Sequence, residues 1–485
     1  MSPRRATAGR PAVTPAQRWV LALASVASFL VILDALVVAA ALTTIQRHLG
    51  ASLAGLEWTI NAYALSFAVL LMTAAALGDR LGRRRVFAAG LAVFAVSSAA
   101  CALAQDTAAL IAARAVQGAG AAAIMPMALA LLNGAFPPGR RGWALGIYGS
   151  VTGLAAVLGP VLGGAVTQGL GWQWIFWINV PVALAAIPLV FARLQEVYGP
   201  AGRVDLPGLL LAGVAALGLV WGLVRGNTAG WGSAEIIGSL AAGAVAAAGF
   251  GAWQRRAPAP MLPPRLFRSR AFTAGNAAIF LLNGSLSAAV FLMPQFQQVV
   301  AGQRPLSAGL RLLPWGIAPF VLAPWAGALA DRIGERSLAV TGLLLEAAGL
   351  AWIAAVATPS VGYPALIAPM SMIGVGFAIA IPAITRSVTS TTPPSDLGKA
   401  SGAYSTMRQL GGAFGIAITG AAFAATGGYH PPEAFSDGFV TACAAAAGLA
   451  FAGVLAGVLL PGRRNHPVPP APAHAAVTGA GRAGR

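Results

Sequence analysis

The feature that most constrains this chain is the recurrence of apolar stretches of roughly 18–25 residues, separated by short segments that hold most of its charge. A hydrocarbon core about 30 Å thick is crossed by about 20 helical residues. Such stretches must be helical, because lipid offers no partner to an unpaired backbone N–H or C=O. Helices are expected at 19–42, 56–77, 86–104, 108–132, 143–166, 173–192, 206–225, 236–254, 271–299, 307–330, 338–357, 364–388, 400–424 and 437–460. The fold class is therefore all-α, a polytopic membrane helix bundle with fourteen spans. Only 9% of the residues are charged, against about 25% in soluble domains, so the chain cannot present a fully solvated exterior.

The net charge of +18 would suggest nucleic acid in a soluble protein. Here the arginines sit in short loops, where they orient the spans by the positive-inside rule, and no nucleic-acid partner is expected. Arg80, Arg83, Arg84 and Arg85, then Arg140 and Arg141, then Arg255, Arg256, Arg265, Arg268 and Arg270 fall on one side, as do both termini. That side is expected to be the cytoplasm, with the chain in the cell membrane. Residues 1–18 read as an N-terminal tail and 461–485 as a disordered tail. The first span is too long for a cleavable signal peptide. Cys101 and Cys443 lie within apolar segments and read as packing residues. No phosphate-binding loop, no HExxH pair and no intramembrane Ser/His/Asp set occurs, so no catalytic residues, metal or cofactor are expected, and the chain does not read as an enzyme.

The chain repeats itself. ALGDRLGRRR (76–85) recurs as ALADRIGERS (328–337), 252 residues on. At a spacing of 256, Gly118, Gly120 and Pro126 match Gly374, Gly376 and Pro382, while Ala144, Gly146, Tyr148 and Gly159 match Ala400, Gly402, Tyr404 and Gly415. This ordered series maps spans 2–5 onto 10–13. The organisation is a six-helix half (19–192), two extra helices with linkers (193–270) and a second six-helix half (271–460). Paired halves about a central site are a transporter plan.

Four segments resemble the major facilitator superfamily, in particular its fourteen-span drug:proton antiporter branch, and the resemblance covers roughly 19–460. The loop AALGDRLGRRR is similar to the family's G-x-L-x-D-R-x-G-R-R loop, with Ala75 at its first glycine. It implies a cytoplasmic gating loop of Asp79, Arg80, Gly82, Arg83 and Arg84, latching onto the other half, with a weaker copy at Asp331, Arg332 and Gly334. LIAARAVQGAGAAAIMP resembles the R-x-x-Q-G-x-G motif of span 4 and carries Arg114. GSVTGLAAVLGPVLGG resembles the antiporter motif, with Gly159, Pro160, Gly163 and Gly164 in place and Ala155 at its first glycine. FLVILDALVVAAALTTI resembles the acidic first span of the branch through Asp34, but Ala39 and Thr43 depart from the usual asparagine and proline.

Asp34 lies fifteen residues beyond Trp19, roughly 22 Å up from the cytoplasmic side, and Arg114 lies about 20 Å up by the same count from the opposite end. The matching depths place the two side by side, either as a proton-coupling pair or as a static salt bridge. Asn61, Tyr63, Gln117, Asn283, Gln295 and Arg408 either line a substrate cavity or satisfy helix–helix contacts; Glu346 is a further intramembrane acid. The resemblance implies export of drugs or other small amphipathic organic compounds by proton antiport. The proton gradient would supply the energy, in a monomer whose partners are substrate, protons and lipid. The alternatives are an exporter of one endogenous metabolite or antibiotic, and a proton-coupled uptake symporter.

Overall fold

A computed structural model describes residues 13–199, 204–390, 392 and 396–462, apart from the side chains of 138, 139, 323, 324 and 326–332. Most of the expected terminal tails therefore lies outside the described residues. The helices are α1 (Pro15–Leu49), α2 (Leu53–Leu81), α3 (Arg83–Ala102), α4 (Thr107–Ala135), α5 (Pro138–Gly169) and α6 (Trp174–Arg193). They continue as α7 (Leu206–Ala229), α8 (Ala234–Arg256), α9 (Arg270–Val299), α10 (Pro305–Arg311 and Leu313–Ile333), α11 (Glu335–Val356), α12 (Tyr363–Ser390), α13 (Leu397–Thr426) and α14 (Pro432–Val458). Thirteen helices are long and apolar enough to span alone, and the two pieces of α10 bring the count to fourteen. The protein is a multi-pass membrane protein.

Two boundaries differ from the sequence expectation for physical reasons. α1 starts at Pro15, so the helix extends over residues 15–18, ahead of the expected span start at 19. Thr14 and Gln17 form a reciprocal capping box there, which satisfies otherwise orphaned N–H groups. α10 is not one continuous helix over 307–330 but bends by 43° near Leu312. Pro314 has no N–H, and its ring crowds the carbonyl one turn back.

In the first half α4 packs between α2 and α3, and α1 packs on α5; in the second, α12 packs on α11 and α9 on α13. Glycine permits the closest approaches. A Cβ on Gly415 would lie 2.1 Å from the backbone oxygen of Gly284, and one on Gly411 2.1 Å from that of Phe280. The halves meet along α2–α13 and α5–α10.

The extra pair α7–α8 is not wholly lipid-facing. α7 covers the α2–α13 seam, where Trp221 lies 5.4 Å from Trp58 and Asn227 Nδ2 donates to the Ala421 carbonyl. At the other end Asp205 caps α7. Desolvation alone would raise its carboxyl, but hydrogen bonds from Trp253, Gln254 and the backbone N–H groups of Gly208 and Met261 outweigh it and hold it below the usual range.

One stripe of α5 shows how the two halves meet. Its outer part is packed: Gly164 abuts the Pro305 backbone, Pro160 abuts Gly309, and Val157 abuts Gly316. The same stripe toward the cytoplasmic end, Gly153, Gly149, Gly146 and Gly142, meets nothing within 4 Å among the described residues. The halves are closed at the outer end, and among the described residues no contact closes this stripe at the other.

Gly415→Val should force α9 and α13 apart, at a cost of about 1–3 kcal/mol. The expected readout is a lower thermal unfolding midpoint for the purified protein; an unchanged midpoint would show that the contact is slack.

Candidate transport site

Asp34 on α1 and Arg114 on α4 meet in the centre of the first half, both 0% exposed. Arg114 Nη1 donates to Asp34 Oδ2 at 2.5 Å and to Gln117 Oε1 at 2.6 Å, and Nε donates to the Thr59 carbonyl at 3.1 Å. The other carboxylate oxygen accepts from Gln117 Nε2 at 3.0 Å and from Asn179 Nδ2 at 2.8 Å. Ser98 Oγ accepts from the same two amides, at 2.7 and 3.3 Å. The guanidinium lies over the Tyr63 ring, 4.2 Å from its centroid. Five helices, α1, α2, α3, α4 and α6, thus close around one ion pair. Arg114 Nη2 alone is buried without an acceptor among the described residues.

The local sequence explains how α4 presents these groups. Arg114 and Gln117 are three residues apart and share a helix face. Gly118 and Gly120 let that helix sit between its neighbours: Cβ atoms there would fall 2.3 Å from the Tyr63 carbonyl oxygen and 2.8 Å from the Phe94 nitrogen. Full burial of Arg114 excludes snorkelling of its side chain to the outer interface.

The remaining expected residues fall into three places. Tyr63 and Gln117, read as cavity candidates, belong to the charge cluster. Asn283 Nδ2 donates to the Arg408 carbonyl, tying α9 to α13. Gln295 lies near the outer end, where it accepts from the Tyr429 hydroxyl. Asn61 is buried with neither side-chain atom partnered. Arg408 is half-exposed and has no carboxylate partner among the described residues. Glu346 is buried in the second half and accepts from Ser285 Oγ at 2.5 Å.

The antiporter-type motif lies at the outer closure. Gly159 faces Leu36, Gly163 faces the backbone of Val37, and Gly164 faces Pro305 of the second half. Without side chains at 163 and 164, α5 can contact α1 and α10 together.

The described partners of the loop after α2 all lie in its own half. Arg83 pairs with Asp79 at 2.8 Å, and the Arg84 backbone N–H donates to Glu196 Oε1 at 2.8 Å. Arg84 Nη1 also donates to the Leu194 carbonyl, and the Gly199 N–H donates to the Asp79 carbonyl. All these partners lie in α2, α3 or the segment after α6. Arg80 is exposed. Gly82 turns the loop at φ 106°, Gly334 turns the repeat at φ 95°, and Glu335 pairs with Arg386 at 3.6 Å. The side chains of Asp331 and Arg332 lie outside the described residues.

Asn179, Ser98 and the Thr59 carbonyl were missed in the sequence. Asn179 had a signal, as the lone amide in the otherwise apolar WIFWINVPVAL. Glu57 was passed over as the second residue of the expected span 56–77; α2 begins at Leu53, which carries this acid about a turn deeper.

A membrane bundle of paired halves around a buried ion pair is a secondary-transporter architecture. A sequence profile of the Major Facilitator Superfamily matches residues 24–416 and 276–482, and the chain belongs to that family. It is 36% identical to the tetracenomycin C resistance and export protein of Streptomyces glaucescens, over 90% of this chain and 80% of that one. It is 34% identical to the puromycin resistance protein of Streptomyces alboniger, over 93% and 92%. In fold it is similar to a bacterial homologue of the lysosomal transporter Spinster in its inward-facing, unoccupied conformation, with a TM-score of 0.65, 17% identity, and 93% and 98% of the two chains covered.

Asp34→Asn should strand Arg114 as an uncompensated buried charge and destabilise the protein by about 3–5 kcal/mol. Adding Arg114→Met should recover most of that loss. Thermal unfolding of the wild type, single and double variants checks both; a single variant as stable as the wild type would contradict this account.

Proposed function

We propose that the protein exports drugs or related small amphipathic organic compounds from the cytoplasm, exchanging them for protons by alternating access. The observation that carries this reading is the Asp34–Arg114 pair, sealed beneath a closed outer face. Protonation of Asp34 cancels its attraction for Arg114 and frees a cation within the first half; deprotonation restores the pair. Gln117 and Asn179 hold the carboxylate in place in either form, because amides can orient to both. A bistable contact of this kind lets proton binding bias the rocking of the halves. The relatives named for antibiotic export and resistance support the substrate class.

The half-exposed Arg408 and the polar groups near the seam supply orienting contacts for a substrate that enters from the cytoplasm. The energy source is the proton gradient, with no bound cofactor, no metal and no bond-making chemistry. The protein acts as a monomer in the cell membrane with both termini in the cytoplasm, an orientation supported by the arginine-rich loops.

Efflux from energised cells, with a panel of dyes and antibiotics, tests the reading. Collapse of the proton gradient should abolish efflux of any transported compound. Asp34→Asn should lower gradient-driven efflux at least tenfold in cells matched for expression. Efflux that survives gradient collapse would rule out proton antiport.

A further inference from the structure

Glu57 stands apart from the coupling pair. It lies on the first turns of α2, toward the outer end of the bundle, and is 1% exposed. Its carboxyl rests against α13 of the other half: a Cβ on Gly420 would fall 2.1 Å from Oε1 and 2.9 Å from Oε2. Oε2 has no hydrogen-bond partner among the described residues. The acid is therefore clamped in the outer seam, where the halves must separate for the transporter to open outward.

The surroundings supply no compensating charge. From the α13–α14 connection Tyr429 faces it. The Tyr429 phenol is raised by burial first and by the Glu57 carboxylate second, which marks their proximity. Tyr429 donates its hydroxyl to Gln295. On α4, Thr107 packs against Gly55, and Asp106 caps that helix through the Ala109 N–H. On α7, Arg225 is engaged by Glu235 at 2.6 Å. Among the described residues no arginine, lysine or histidine pairs with Glu57. A lone carboxylate in a dry seam is costly, whereas the protonated acid is tolerated. Opening the seam would return the group to water.

We infer that Glu57 is a proton-binding residue of the outer gate: it takes up a proton from outside as the α2–α13 seam shuts and releases it to the same side as the seam opens. This rests on the alternating-access reading above but assigns Glu57 a role distinct from that of Asp34. Its proton never crosses the membrane, so Glu57 tunes the gate without entering the exchange ratio. By linkage the closed state binds the extra proton, so acid closes the outer gate and alkali opens it, by up to about tenfold in the equilibrium per pH unit.

The test uses the full chain in nanodiscs without substrate. Spin labels at Gln105 and Ser360, both exposed in outer connections, report the outer opening by electron–electron distance measurements from pH 5 to 9. The labelled parent carries Asp34→Asn with Arg114→Met, which removes the coupling acid without stranding a buried charge, and has both native cysteines replaced. The parent should open as pH rises. Adding Glu57→Gln should keep it closed and flatten the response by about one proton's worth. Gly420→Ala, which crowds the carboxyl, should shift the gate open at every pH and provides a second, independent variant. An unchanged pH response in Glu57→Gln overturns the proposal. So does a changed proton-to-substrate ratio for this variant in an otherwise native chain, measured in proteoliposomes with ethidium as the probe. Failure of proton coupling in the native chain would sink the antiport reading but leave the gate measurement intact.

Discussion

The first half is organised around the cost of placing Arg114 inside a membrane. A charged side chain at the centre of a span costs about 2.5–3.5 kcal/mol on insertion scales, and its burial is tolerable only if the cation is neutralised and its donors are accepted. Asp34 supplies the charge, while Gln117 and the Thr59 carbonyl accept donors and Tyr63 covers one face of the guanidinium. Meeting that requirement draws α1, α2, α3, α4 and α6 to one point. It also explains the glycines at 118 and 120, since α4 must approach α2 and α3 closely enough for these contacts to form. In the proposed exchange this ion pair is also the switch, because one proton would remove the attraction on which the arrangement depends.

The second half has no equivalent pair among the described residues. Its buried acid, Glu346, accepts a hydrogen bond from Ser285 and is matched by no base. The repeat is thus an architectural symmetry with chemically unequal halves. The seams between them are unequal too. The outer seam is built from backbone contacts through Gly164 and Gly309 and from the Glu57 carboxyl seated on Gly420. At the opposite end the loop between α2 and α3 binds its own half through Arg83, Arg84 and Glu196.

The legibility of the site followed the physics of each signal. Asp34 and Arg114 could be paired from sequence because depth along a helix is a count of residues, and each was the lone ion in its stretch. Which of the scattered polar residues would join them could not be counted. Tyr63, Gln117 and Asn179 meet the pair because of the azimuth at which α2, α4 and α6 pack. That angle is set by interhelical contacts made by glycine and alanine, whose number in this chain gives no unique register. Asn61 and Gln295 looked equivalent to them in sequence and lie elsewhere. Glu57 was hidden by a boundary shift of three residues, enough to turn an interfacial acid into a buried one.

By itself the sequence determined that this protein crosses a membrane as an all-helical bundle, that it contains two related six-helix halves, and that a charge pair lies in the first. Each of these follows from local quantities: run length, hydropathy, spacing and repeat. Only the tertiary structure decided which seam is shut and where the gating arginines find partners. It also decided that the tenth span is bent and that an acid on α2 faces a glycine on α13. Those outcomes depend on how rigid halves are placed against one another. That placement differs between the states of a transporter built from a single sequence, so no local signal can encode it.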